Sequence, residues 1–147
     1  MMRIAARLWL WAAILRPVKH VLPLATLVRL VHRAPGARRN DMRVQQVEHA
    51  LQRTGRAPRR PPANCLERSL GAYRMLCEAG AAPQIVVGIR RGAGTRVEGH
   101  VWVVVEGRAL AEDDAFIATF SRVLAFDADG RQVSGARGGM PPGVSLS

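Results

Sequence analysis

The stretch from Asn64 to Ala111 constrains this 147-residue chain most: one well-capped helix, then three strand-length segments separated by a Gly-rich loop and a tight turn. Asn64 is a good N-cap, and Glu67 stands three positions later in a capping-box arrangement. A helix over 65–78 puts Leu66, Leu70, Tyr73 and Cys77 on one face, and Gly80 ends it. Residues 84–89 (QIVVGI) read as a buried strand and 97–105 as a second, with Glu106-Gly107 as the turn into a third over 108–111. Asp113 and Asp114 can open a short helical segment holding Phe116 and Phe120, and 122–126 reads as a last strand. This order predicts an α+β fold, an antiparallel sheet backed by one central helix.

Upstream, 2–16 and 21–33 read as two helices with Pro17 and Pro23 near their boundaries, and 34–40 as a turn. A third helix over 41–52 carries Val44, Val47 and Leu51 at helical spacing. The expected organisation is a basic N-terminal helical extension (1–53), a Pro/Arg-rich linker (54–63), a core (64–133) and a flexible tail rich in Gly, Pro and Ser (134–147). The formal net charge is +11, and residues 1–60 hold 13 Lys and Arg against two acids, whereas 61–147 balance at nine each. That asymmetry suits an anionic partner for the first segment, or a solvated basic surface. It lacks interleaved aromatics and a helix-turn-helix pattern, which argues against nucleic acid. The apolar run from Ile4 to Leu15 is shorter than the ~20 residues that span a bilayer. No small-x-small cleavage site follows it promptly, so both early helices are expected to pack on the domain rather than lie on a membrane.

The chemistry centres on two residues. A thiolate is stabilised in the first turn of a helix, where dipole and free N–H groups favour negative charge, and Cys65 falls there. His100 lies inside an apolar strand (GHVWVVV), with Trp102 and Val104 on its own face and Val101, Val103 and Val105 on the other. A cysteine at a helix start and a histidine on a following strand are the nucleophile and general base of a thiol enzyme. A third member would be an acid that orients the imidazole. Across a hairpin centred on 106–107, His100 pairs roughly with residue 113, and Glu112, Asp113 and Asp114 all remain in reach. Cys77, on the apolar face of the same helix, reads as core filler, and His20, His32 and His49 have no companion cysteine or ordered acid. Two cysteines twelve residues apart make neither a disulfide framework nor a zinc spacing, which fits a reducing, cytoplasmic setting. No cofactor is expected, because GAGT at 92–95 lacks the following Lys of a phosphate-binding loop.

The runs NCLERSLGAYRMLCEAG, PQIVVGIRRG and EGHVWVVVEGRALAEDD, in this order over about residues 60–125, resemble the protease domain of lasso-peptide biosynthesis. That resemblance implies a transglutaminase-like, papain-related fold and a Cys-His-Asp triad that cleaves the leader from a ribosomally made precursor. Cys65 would be the acyl-forming nucleophile and His100 the base and later the acid. The family's Asp, twelve positions after the histidine, is here Glu112, with Asp113 next: either Glu112 substitutes with its longer arm, or the turn shifts by one residue and Asp113, the favoured candidate, is the third member. Residues 1–60 are too short for a winged-helix precursor-recognition domain, so the resemblance implies a separate recognition protein. It also implies an ATP-dependent macrolactam cyclase as a further partner. Two other readings fit the residues: a transglutaminase-like acyltransferase or amidase, and a non-catalytic adaptor binding an acidic partner through the basic helices.

Overall fold

A helix begins where its first N–H groups find acceptors, and Asn64 supplies two. Its Oδ1 accepts from Glu67 N at 3.0 Å, and its carbonyl accepts from Arg68 N at 3.1 Å. The computed structural model describes residues 2–34, 38–55, 64–135 and 145–146. Four helices come first: α1 (Met2–Val18), α2 (Leu24–Val31), α3 (Asp41–Gly55) and α4 (Cys65–Glu78). The strands are β1 (Pro83–Arg91), β2 (Val97–Val105), β3 (Arg108–Ala109), β4 (Ser121–Phe126), β5 (Gln132–Gly135) and β6 (Ser145–Leu146), with α5 (Asp114–Ile117) between β3 and β4. The fold is α+β. Several bounds differ from expectation: α1 runs on through Pro17, α2 is shorter, and β3 stops at Ala109 instead of Ala111. Of the expected linker, 54–55 belong to α3 and 56–63 lie outside the described residues. Of the expected tail, 134–135 and 145–146 are in strands, and 136–144 and 147 lie outside the described residues.

The sheet runs β3-β2-β1-β4-β5 with antiparallel neighbours, and β6 joins β2 in parallel. Glu106 and Gly107 both have positive φ (52° and 78°), the signature of a two-residue turn whose twist suits a hairpin. β3 pairs only with Val104 and Val105, and β6 only with Glu98 and Gly99. Among the described residues, no strand pairs with the edge of β2 between them, around His100. One of its carbonyls, Val101 O, accepts from Ser69 Oγ of α4 at 2.9 Å.

Helix α4 covers one face of the sheet. Leu66, Leu70, Tyr73 and Cys77 pack with Ile85, Val87, Val101, Leu124 and Phe126, and Leu15 of α1 and Leu27, Val28 and Val31 of α2 complete this cluster. Leu8 of α1 and Val44, Val47 and Leu51 of α3 pack with Ala72, Met75 and Leu76 on the far side of α4. The hydrophobic core thus crosses the charge boundary at 54–63. Basic residues of the first segment also meet acids elsewhere in the chain: Arg7 Nη2 of α1 lies 2.8 Å from Glu78 Oε2, and Arg39, just before α3, pairs with Glu106. Among the described residues, no helix is long and apolar enough to cross a membrane.

The opposite sheet face carries Trp102, Val104, Val86, Phe120 and Ala125 in a smaller apolar cluster. Gly88 lies in the cross-strand row of His100, and a Cβ there would come within 2.8 Å of both Trp102 Cη2 and Phe120 Cβ. The missing side chain at 88 is what lets the indole close against Phe120. Gly88→Ala is expected to destabilise the fold by about 1–3 kcal/mol through overpacking, read as a lower urea midpoint at unchanged slope. A midpoint equal to the parent's would show that the aromatic cluster has room to yield.

Candidate active site

The first turn of α4 and this edge of β2 bring the functional side chains together. Cys65 is the first residue of α4, buried at 4% exposure and free of any disulfide. Its thiol lies beside the imidazole of His100, close enough to bear on its protonation. His100 Nε2 lies 3.3 Å from Glu112 Oε1, at ion-pair distance but off the axis of a linear hydrogen bond. The imidazole is walled by aromatic rings: Trp102 stacks at 5.9 Å between centroids, Phe116 meets it edge-on at 5.2 Å and Phe120 lies at 5.5 Å.

The acids after β3 separate clearly. A ladder continued from the Glu106-Gly107 turn would set residue 113 opposite His100. The ladder instead ends at Ala109, Leu110 N donates to Val103 O, and Ala111 turns into the left-handed region at φ 57°. For a residue with a Cβ that conformation costs roughly 1 kcal/mol. It redirects the chain so that Glu112 reaches the imidazole. Asp113, the residue favoured from the sequence, instead caps α5, its Oδ1 accepting from Ala115 N at 2.9 Å. Asp114 sits in the first turn of α5. The structure therefore places Cys65, His100 and Glu112 together and Asp113 apart from them.

Two further residues of α4 serve this cluster. Arg68, one turn after Cys65, has its Nη2 3.8 Å from the same Glu112 oxygen that faces His100. Ser69, the next residue, makes the bond to Val101 O already described. Their positions three and four after the cysteine, on the same helix face, are the sequence signal that could have found them. The capping box is half formed: Asn64 bonds Glu67 N, but the Glu67 carboxylate turns to Lys19 Nζ at 2.8 Å instead of back to the cap. Glu67 is buried at 1% exposure, so this pair fixes the chain after α1 to the first turn of α4. Cys77 is fully buried three turns down, where burial pushes its thiol up to about 11.

Burial is the largest single influence on His100 and acts to lower its pKa. Its interactions with Cys65 and Glu112, through polar contact and charge, outweigh it and raise the value to about 9 from an ordinary 6.5. A value that high keeps the imidazole protonated at neutral pH. Since the folded value exceeds the unfolded one, protonated His100 contributes stability that is fully present below about pH 6.5 and is lost as pH rises through about 9. The stability advantage of the parent over His100→Gln should shrink across that window in denaturant titrations. By NMR, His100 should titrate near pH 9, with a lower midpoint in Glu112→Gln and in Cys65→Ser. A midpoint near 6.5 in all three would contradict the coupling.

A family model described as the transglutaminase-like superfamily matches residues 6–125, from α1 nearly to the end of β4. No curated protein and no solved structure matches the chain. Enzymes of this superfamily are usually cysteine proteases or transferases. With a helix-leading cysteine set against a sheet-edge histidine, and a match spanning most of its length, this chain belongs to the transglutaminase-like superfamily.

Proposed function

We propose that this protein is a cysteine peptidase that removes the leader from a ribosomally synthesised lasso-peptide precursor, with Cys65, His100 and Glu112 as its triad. The observation that carries the peptidase reading is the convergence of a helix-N-terminal thiol, an imidazole and a carboxylate at one sheet edge. The substrate class is supported by the similarity of residues 60–125 to the lasso leader peptidases. The Cys65 sulfur attacks the scissile carbonyl carbon, and the oxyanion forms against the N–H groups of Cys65 and Leu66, which no acceptor within α4 can satisfy. Collapse breaks the C–N bond, His100 gives its proton to the leaving amine, and the leader remains as a thioester on Cys65. Water then attacks the thioester and loses a proton to His100. The leader leaves with a free carboxylate, and the thiol is restored.

Glu112 holds the imidazole in orientation and stabilises its charge, the role of the acid in such triads. Its arm is one methylene longer than that of Asp, and the left-handed Ala111 accommodates it. With Nε2 turned to Glu112, Nδ1 is the nitrogen available to exchange a proton with the sulfur. In this reading the enzyme works in the cytoplasm, on a precursor presented by a separate recognition protein, and hands the product to an ATP-dependent cyclase. The basic face of α1–α3 is the candidate surface for docking that recognition protein. Acyl transfer would share every step up to the thioester and differ only in the acceptor, so product mass separates the two.

Processing of the cognate precursor, followed by mass spectrometry with the recognition protein present, tests the assignment. Cys65→Ala should abolish cleavage, and Glu112→Gln should lower kcat by roughly 10²–10⁴-fold. Asp113→Asn keeps an equally good cap for α5 and should cleave at close to the parent rate. Loss of activity in Asp113→Asn together with a fully active Glu112→Gln would overturn the choice of acid.

A further inference from the structure

We infer that the polar cleft beyond His100 is a recognition subsite for an acidic side chain on the leaving-group side of the scissile bond, two or three residues from it. The inference deepens the peptidase reading above and rests on it. The cleft is shallow and open to solvent, has a volume of about 530 Å3 and is lined by Arg90 and Arg91 at the end of β1, Glu98 of β2, and Thr119 and Ser121 before and at the start of β4. Two arginines against one glutamate leave the lining residues with net positive charge.

Arg90 is held rigidly. Its Nε lies 2.8 Å from Glu98 Oε2, its Nη1 donates to Thr119 Oγ1 at 3.1 Å, and its guanidinium lies 5.2 Å from the Phe116 ring and 4.6 Å from that of Phe120. Arg91 is exposed and makes no ion pair among the described residues. Arg122, also exposed, stands in the same cross-strand row as His100, with the side-chain-free Gly88 between them. A carboxylate entering the cleft would meet the preorganised guanidinium of Arg90, with the charge of Arg91 adding to the local field, the setting for charge-assisted hydrogen bonds.

The register follows from distances and from which side of His100 the cleft occupies. The rings that touch His100 are the rings that support Arg90. The steps of 5.5 Å from His100 to Phe120 and 4.6 Å from Phe120 to the guanidinium cap the separation at about 10 Å. An extended chain advances about 3.3 Å per residue, so that distance corresponds to the second or third residue. Cys65 belongs to the α4 side of the sheet and Arg90 contacts the opposite face, with His100 between them. His100 must point its proton at the departing nitrogen, so the segment beyond that nitrogen runs over the imidazole toward Arg90.

Acceptor competition tests this without knowledge of the precursor. The full-length protein is acetylated on Cys65 with p-nitrophenyl acetate, and the acetyl group is captured by tripeptide amines H-Gly-X-Gly or H-Gly-Gly-X, with X as Glu, Gln or Arg. The acetyl-tripeptides are then quantified by mass spectrometry. The Glu acceptor should outcompete the Arg acceptor by about tenfold in at least one of the two positions, with Gln between them. Arg91→Glu should reverse that order. Equal capture of Glu, Gln and Arg in the parent would overturn the subsite while leaving the thiol reading intact. Absence of a Cys65-dependent p-nitrophenol burst would overturn the thiol reading itself, and the subsite with it.

Discussion

The docking of the first turn of α4 against the edge of β2 around His100 is the interaction on which the site depends. β2 is paired with β1 along one side, but on the other its partners among the described residues are two short strands that leave the segment around His100 unpaired. Ser69 Oγ supplies a donor to Val101 O in that gap. A single such bond contributes only about 1 kcal/mol, so the apolar packing of Leu66, Leu70 and Tyr73 on Val87 and Val101 holds the helix down. The hydroxyl fixes its register along the strand. With that register set, Cys65 meets His100 and Arg68 reaches Glu112.

The N-terminal helices stabilise the same docking. The core of α4 is completed by Leu15, Leu27, Val28 and Val31 on one side and by Leu8, Val44, Val47 and Leu51 on another. Lys19 meets the buried Glu67 in the first turn of α4, which links the chain after α1 to the element bearing the nucleophile. Removing one partner of a buried pair is costly, because the other charge is left without compensation. The exposed pairs, such as Arg7 with Glu78, contribute far less to stability.

Much of this arrangement is legible in the sequence because it rests on local chemistry. The cap at Asn64, the apolar face of 65–78 and the Glu106-Gly107 turn are short-range signals, and each element forms where they say. Alternation along 97–105 correctly separates His100, Trp102 and Val104 from Val101, Val103 and Val105. The choice of acid is not legible. It turns on Ala111 adopting a left-handed conformation, which alanine adopts rarely and for which no local pattern exists. The charge boundary near residue 60 is visible but does not coincide with an edge of the core, because charge distribution reports surfaces, whereas the packing of α1–α3 on α4 is set by apolar faces. The aromatic wall around His100 likewise depends on Gly88, whose meaning appears only when its neighbours across the sheet are known.

In the proposed mechanism Cys65 is an activated nucleophile because His100 is beside it, while Cys77 on the same helix is inert filler. Alkylation by iodoacetamide at pH 7, located by peptide mapping, tests that contrast most directly. Cys65 should be modified rapidly and Cys77, whose thiol burial pushes up to about 11, not at all. Cys65 should react at least roughly tenfold more slowly in His100→Gln. Equal reaction at the two cysteines, or a Cys65 rate unchanged by loss of His100, would contradict the mechanism.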